Sequence, residues 1–293
     1  MTEAAPPPKP GDRSQLIEES PMPSRRTFLS TALATGAVVA LPSGASAADH
    51  PCRRVPKESI SIQLYTLRGI MGDDPEPVLS ALADIGYRKV ELAGTYGRSA
   101  AEFAAVLRRC GLRATSSHAG IDGDLDQLIA DARTLGHKYV VVPWVDSPTL
   151  AEWRAFATRL EAAGDKVRRA GLSLGYHNHA HEFAEVEGVR PFDVITAGTT
   201  RRNVHLELDL YWAVAGGVDP VAVHRANFPR VRQFHVKDRA ADGSFADLGT
   251  GTIDFAAIFR AANVTEYIVE NDQPRDALVT ARVGYDYLVN LRF

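Results

Sequence analysis

Beyond residue 58 the chain alternates two kinds of apolar pattern. Short apolar runs begin at Ile60, Lys89, Leu112, Tyr139, Leu172, Val204, Val231 and Tyr267. Runs this short, following helical stretches, read as strands of a buried parallel sheet. Between them lie stretches whose apolar positions recur every three or four residues. The first opens at Asp74-Pro75-Glu76-Pro77 and carries Val78, Leu79, Leu82 and Ile85 on one face. The next starts at Ser99, with Phe103, Val106 and Leu107 as its core positions. Others span about 124–135, 149–170, 191–198, a stretch from Asp219-Pro220, one after Phe255, and about 274–290. Proline in a first turn gives up an N–H that had no partner. Gly86, Gly111, Gly136 and Gly171 stand where helices stop,. Eight strand–helix alternations predict an α/β fold, a (β/α)8 TIM barrel. A doubly wound sheet is the competing architecture, but it carries a glycine-rich loop after its first strand. Leu64-Tyr65-Thr66-Leu67-Arg68 is no such loop.

Several strands end in residues that a strand does not need. The run from Leu172 stops in Tyr176-His177-Asn178-His179-Ala180-His181-Glu182. Val204-His205-Leu206-Glu207-Leu208-Asp209 ends in a carboxylate, and Val231-Arg232-Gln233-Phe234-His235 in an imidazole followed by Val236-Lys237-Asp238. Tyr267-Ile268-Val269-Glu270 ends in a carboxylate again. The spacings suit one helix plus one strand each. A parallel barrel gathers all its strand C-termini on one face, where active sites are built. His177, Asp209, His235 and Glu270 are therefore expected to converge there. A lone histidine at a strand end is usually structural. Three at alternate positions would share one side of a continuing strand, which favours a metal or sugar site.

Composition narrows the field. The 293 residues are 45% hydrophobic and 24% charged with a net charge of −3, so one large core is feasible and no basic field draws nucleic acid,. Cys52 and Cys110 have neither disulfide-framework nor zinc-site spacing,. Residues 1–23 are proline-rich and polar. Arg25-Arg26, an apolar run from Phe28 to Leu41 and Ala45-Ser46-Ala47 then come in the order of a twin-arginine export signal with a small-residue cleavage site,. The expected organisation is a signal and extension over 1–47, a lead-in over 48–58 and one barrel domain over 59–293. The expected location is periplasmic or extracellular, reached through the twin-arginine machinery, without a lasting membrane anchor.

With these motifs in view the chain resembles the xylose isomerase-like TIM-barrel family of sugar isomerases and epimerases. The resemblance spans about residues 59–291. It rests on Ser61-Ile62-Gln63-Leu64-Tyr65, Gly86-Tyr87-Arg88-Lys89-Val90-Glu91-Leu92, Gly175-Tyr176-His177-Asn178-His179, Leu208-Asp209 and Phe234-His235-Val236-Lys237-Asp238. Leu248-Gly249-Thr250-Gly251 with Ile253-Asp254-Phe255, and Ile268-Val269-Glu270, complete it. It implies a divalent metal at the ends of strands five to eight, usually manganese, with zinc, cobalt, iron or magnesium as alternatives. Matched by position, the ligands are His177, Asp209, His235 and Glu270. Many relatives have glutamate where His177 stands. In the epimerases that glutamate and the strand-eight one form an acid/base pair on opposite faces of the substrate. Its replacement by His177 puts two-faced exchange at one carbon in doubt, and leaves His179 as an alternative ligand.

The chemistry expected of such a site is proton abstraction beside a carbonyl, giving an enediolate, on a free or oxidised sugar. Two imidazoles and two carboxylates suit a transition metal better than calcium. Glu270 is the expected base, Glu182 a second candidate, and Lys237 an oxyanion stabiliser or else a salt-bridge partner of Asp238 or Glu207. Glu91, His118 and His179 are expected as sugar contacts, and Trp144 and Trp212 as apolar walls. The leading reading is a metal-dependent isomerase or epimerase. A keto-sugar or keto-glycoside lyase or dehydratase is the alternative. A sugar-binding protein without catalysis and an apurinic endonuclease stand further back.

Overall fold

The computed structural model describes residues 53–293; the expected export signal over 1–47 and the first part of the lead-in, 48–52, lie outside them. Eight parallel strands close into a barrel: β1 (Ile60–Gln63), β2 (Lys89–Leu92), β3 (Arg113–His118), β4 (Tyr139–Val142), β5 (Ser173–His177), β6 (Val204–Asp209), β7 (Val231–Val236) and β10 (Glu266–Val269). A two-stranded antiparallel hairpin, β8 (Asp238–Arg239) with β9 (Phe245–Ala246), sits in the connection after β7. The connecting helices are α1 (Glu76–Ile85), α2 (Ala100–Arg109), α3 (Leu125–Leu135), α4 (Leu150–Arg169), α5 (Pro191–Gly198), α6 (Leu210–Ala215), α7 (Pro220–Ala226), α8 (Phe255–Ala261) and α9 (Ala277–Asn290).

Local sequence explains the boundaries. Ser99 and Glu102 form a reciprocal capping box at the start of α2, satisfying donors that a helix N-terminus leaves open,. Gly136 ends α3 in the left-handed conformation, φ +80°, which a side chain would disfavour,. In α4, Trp153, Phe156, Leu160 and Val167 share the buried face,.

Period two organises the strands. Alternate residues such as Ile60 and Ile62, Leu174 and Tyr176, Leu206 and Leu208, Phe234 and Val236 join the core beneath the helices. The other set is polar and meets across the barrel interior: Glu91 of β2 reaches His235 of β7, Glu207 of β6 reaches His118 of β3, and Thr115 of β3 reaches Glu266 of β10. None of these strand pairs are neighbours, so the contacts pass through the barrel centre. Both faces are buried, one against helices and one in a polar interior.

The elements depart from expectation at strand ends. β1 stops at Gln63 and turns into a 3-10 helix (Leu64–Leu67); β4 stops at Val142 rather than Trp144. β5 does not continue past His177: His181 belongs to another 3-10 turn (His181–Phe183), so the three histidines share no strand face. The rings nonetheless gather, with His177 4.9 Å from His179 and His179 6.0 Å from His181 between centroids. The short helix α6 and the β8–β9 hairpin are additions to the expected alternation.

Candidate active site

The site begins with how strand ends are stapled. The Asp209 amide donates to Asn178 Oδ1 at 3.0 Å, and Asn178 Nδ2 donates to the Asp209 carbonyl at 3.4 Å, tying the end of β5 to that of β6. Asp209 also caps α6, its Oδ1 accepting the Trp212 amide at 2.8 Å. Its buried Oδ2 lies 3.1 Å from Lys237 Nζ, and His177 Nδ1 lies 3.3 Å from Glu207 Oε1. In register, Asp209 stands beside His235, and His177 beside Glu207. One ligand-type atom from each of His177, Asp209, His235 and Glu270 lies within 4.8 Å of the others. His118, His177, Glu207 and His235 form a second, overlapping group of the same kind. His177, not His179, belongs to these groups.

A layer of carboxylates underlies the quartet. His235 is held at both ring nitrogens: Nδ1 lies 2.8 Å from Glu270, and Nε2 lies 2.7 Å from Glu91 and 3.0 Å from Glu207. His118 Nε2 sits between Glu207 (2.9 Å) and Glu91 (3.1 Å). Glu91 further accepts from Gln63 Nε2 and Ser116 Oγ. It is fully buried and does not line the cavity, which corrects its expected role as a sugar contact: it fixes His235 and His118 from below. Glu207 is a member of the site to which the sequence pattern assigns no chemical role. Its spacing of two from Asp209 puts both on one face of β6.

Lys237 is buried and pairs with Asp209 (3.1 Å), Glu270 (2.9 Å) and Asp272 (2.8 Å), not with Asp238 or Glu207 as expected. Asp238 has a different role: its carboxylate accepts the amides of Arg239, Gly249, Gly251 and Ile253, folding the glycine-rich loop against β7. A Cβ on Gly251 would collide with the Asp238 carboxylate. Asp272 is a further member of the site that the pattern missed, because it lies beyond the strand.

Charge is set by these contacts. Burial opposes ionisation of Glu270, but Lys237 and His235 hold it well below the usual carboxylate range. Burial likewise opposes a charge on His118, yet Glu91 and Glu207 raise it to about 10. Burial, with cationic His235 alongside, keeps His177 far below the usual imidazole range, so its nitrogens have a lone pair to offer. Burial raises Asp209 to about 6 against the pull of Lys237. Burial, reinforced by Lys237, drops His179 to about 3. His177, which keeps a lone pair, and the Asp209 and Glu270 carboxylates offer a donor set that fits a divalent transition metal, which His235 would join on giving up a proton,. Five carboxylates (Glu91, Glu207, Asp209, Glu270, Asp272) facing three cationic side chains (His118, His235, Lys237) leave negative charge for such an ion to balance.

Above the cluster opens a cavity of about 520 Å³ lined by Tyr65, Ala93, His118, Pro143, Trp144, His177, His179, Trp212, Lys237, Glu270 and Asp272. Trp144 and Trp212 stand in its wall, and His179 packs between them with ring separations of 4.6 and 5.3 Å. Glu182 is absent from this lining. It accepts the Tyr176 hydroxyl and the His179 amide, both at 2.8 Å, and is fully buried. That corrects its placement as a second proton-transfer group: it shapes the loop that carries His179.

Comparison with known proteins agrees with this architecture. Residues 79–277 match the family model described as xylose isomerase-like TIM barrel. A rhizopine catabolism protein, MocC, from Rhizobium meliloti is 27% identical over 75% of this chain and 82% of its own length. An inosose dehydratase from Geobacillus kaustophilus is 26% identical over 68% of this chain and 80% of its own. Among solved structures, a sugar phosphate isomerase/epimerase from Parabacteroides distasonis superposes with a TM-score of 0.69 at 26% identity, covering 79% of this chain and 98% of that one.

Proposed function

Because the chain belongs to the xylose isomerase-like TIM-barrel family, we propose that it is a lyase acting on a keto-sugar or keto-polyol, removing the proton beside the carbonyl and expelling the oxygen substituent on the next carbon. The observation that carries this reading is the one-sidedness of the cavity. Its carboxylates, Glu270 and Asp272, both come after β10, whereas β5 presents the neutral His177 and Glu182 is turned away. Inversion at one carbon needs a second carboxylate-type acid/base on the opposite face, and β5 presents the neutral His177 there instead. Elimination instead needs an acceptor and a separate donor. Glu270 is the acceptor; His118, kept protonated by Glu91 and Glu207, is the donor,.

The step balances without oxidant or reductant. Glu270 takes the proton from the carbon beside the carbonyl, and the C–H electron pair becomes the new C=C bond. The bond from the next carbon to its oxygen breaks. That oxygen leaves with the proton from His118, as water or an alcohol. Lys237 steadies Glu270 and Asp272 and brings positive charge to the forming enolate,. His177, Asp209, His235 and Glu270 would hold the divalent metal, which supplies Lewis-acid polarisation of the carbonyl when bound. The dehydratase among the relatives supports the same choice.

Lys237 carries three carboxylate partners and His118 two, so neither lining cation is free for a phosphate; the reading is therefore of an unphosphorylated substrate. We also propose export by the twin-arginine route, on the strength of Arg25-Arg26 and the segment after them. Elimination leaves a conjugated enone, so incubation with an inosose and with keto-glucose derivatives should produce new ultraviolet absorbance. Conversion to an aldose–ketose or epimer pair without enone would overturn the lyase reading in favour of an isomerase or epimerase.

A further inference from the structure

The cavity has two unlike halves. The ends of β5, β7 and β10 supply His177, His179, Lys237, Glu270 and Asp272, and Trp212 of α6 stands among them. Residues from the ends of β1, β2 and β4 supply Tyr65, Ala93, Pro143 and Trp144, without a charge among them. His118, at the end of β3, stands in the uncharged half and reaches Glu207 of the charged one.

Resting on the lyase reading above, we infer that the uncharged half is a leaving-group subsite, and that the substrate is a keto-glycoside whose expelled alcohol carries a flat, carbon-rich or aromatic group stacked against Tyr65 and Trp144.

Three observations carry this. First, the aromatics are exposed where exposure has a cost. Tyr65 is 43% and Trp144 54% accessible; of the three large aromatics this exposed among the described residues, these two line the cavity and Phe228 lies elsewhere. Exposed rings clustered at a concave site are what a ligand face covers. Second, the rings are held. The Tyr65 amide donates to Gln63 Oε1 at 3.0 Å, and the Arg68 guanidinium lies 3.9 Å over its ring. Arg68 is itself anchored on the carbonyls of Tyr65 and Asp272. Trp144 packs on His179 and on His181 (4.4 Å), and His181 is fixed by a contact of 2.8 Å to the Val145 carbonyl. Third, a proton-bearing side chain lies within the uncharged half itself. His118, on β3 between β2 and β4, reaches back to Glu207 at 2.9 Å, while the charged half would hold the keto-sugar ring. A proton given there goes to the oxygen joining ring and leaving group. Ala93, the smallest lining side chain, leaves space in that half, and about 520 Å³ suits a ligand larger than a single sugar,.

The balance is that of the elimination above, with the leaving oxygen bearing carbon: the alcohol departs with the His118 proton and the ring keeps the enone. The test compares matched glycosides. With benzyl and methyl 3-keto-glucosides, whose leaving alcohols are of similar acidity, the wild type should favour the aryl-bearing compound by about tenfold or more in kcat/KM, mainly through KM, the scale of one or two aromatic contacts. In Trp144→Ala and Tyr65→Ala the ratio should fall towards one. Calorimetry with the unoxidised benzyl and methyl glucosides reads the subsite without turnover: the aryl-bearing compound should bind more tightly to the wild type and lose that advantage in the variants. Equal binding of the two glycosides, or an aryl advantage intact in both variants, overturns the subsite whether or not the protein is a lyase. An aryl advantage with no enone from any keto-glycoside keeps the subsite and overturns the lyase reading.

Discussion

Asp209 divides its two carboxylate oxygens between structure and chemistry. Oδ1 caps α6 through the Trp212 amide, while Oδ2 faces the cluster beside Lys237 Nζ at 3.1 Å. Asparagine caps helices as well as aspartate does, so Asp209→Asn should leave α6 in place and strip the site of one anionic donor. Loss of a mere outer partner costs roughly 10–100-fold in metal affinity, and loss of a ligand should cost at least that. Metal titration followed by elemental analysis checks this; unchanged manganese and zinc affinity would remove Asp209 from the proposed ligand set. Glu182 makes the opposite point. Its side chain is a carboxylate like that of Glu270 and comes directly after the histidine cluster, yet Tyr176 and the His179 amide claim both of its oxygens.

At the scale of elements, the existence and order of the strands are legible in the sequence, and where each one stops and turns is not. The apolar runs locate all eight barrel strands, because their outward faces must pack under helices. The quartet is legible for a related reason: a strand end needs no imidazole or carboxylate, so such residues stand out. Glu207 is not, since inside a strand it looks like any buried residue until β3 and β7 bring His118 and His235 to it. The partners of Lys237 escape the sequence because they lie on β6 and beyond β10, far from it along the chain. The polar interior also leaves little slack. A Cβ on Gly175 of β5 would come within 2.5 Å of the His205 ring, which Gln233 and Ser173 pin at 2.9 and 3.1 Å. Gly175→Ala should therefore destabilise the barrel by about 1–3 kcal/mol, the usual cost of overpacking. Urea denaturation reads it, and an unchanged midpoint would mean that the interior yields more easily than these contacts imply.

For the whole molecule, the chain divides into a barrel that carries the chemistry and an N-terminal segment proposed to direct its export. The proposed twin-arginine route carries folded proteins, so a metal held by the quartet would be selected and enclosed before transport. Changing Arg25 and Arg26 together to lysine should hold the protein in the cytoplasm, as cell fractionation would reveal; full periplasmic accumulation of that variant would sink the proposed route.

The proposed elimination divides its labour between Glu270, which would take the proton, and His118, which would give one. Proton NMR of a keto-glycoside in D2O separates the two events, since exchange beside the carbonyl reports the first and the vinylic signal of the enone reports the second. With His118→Gln, exchange should persist while enone formation falls by about 100-fold or more, the usual contribution of a positioned acid. With Glu270→Gln both should be lost. Undiminished enone formation in His118→Gln, or exchange that survives in Glu270→Gln, would contradict the account.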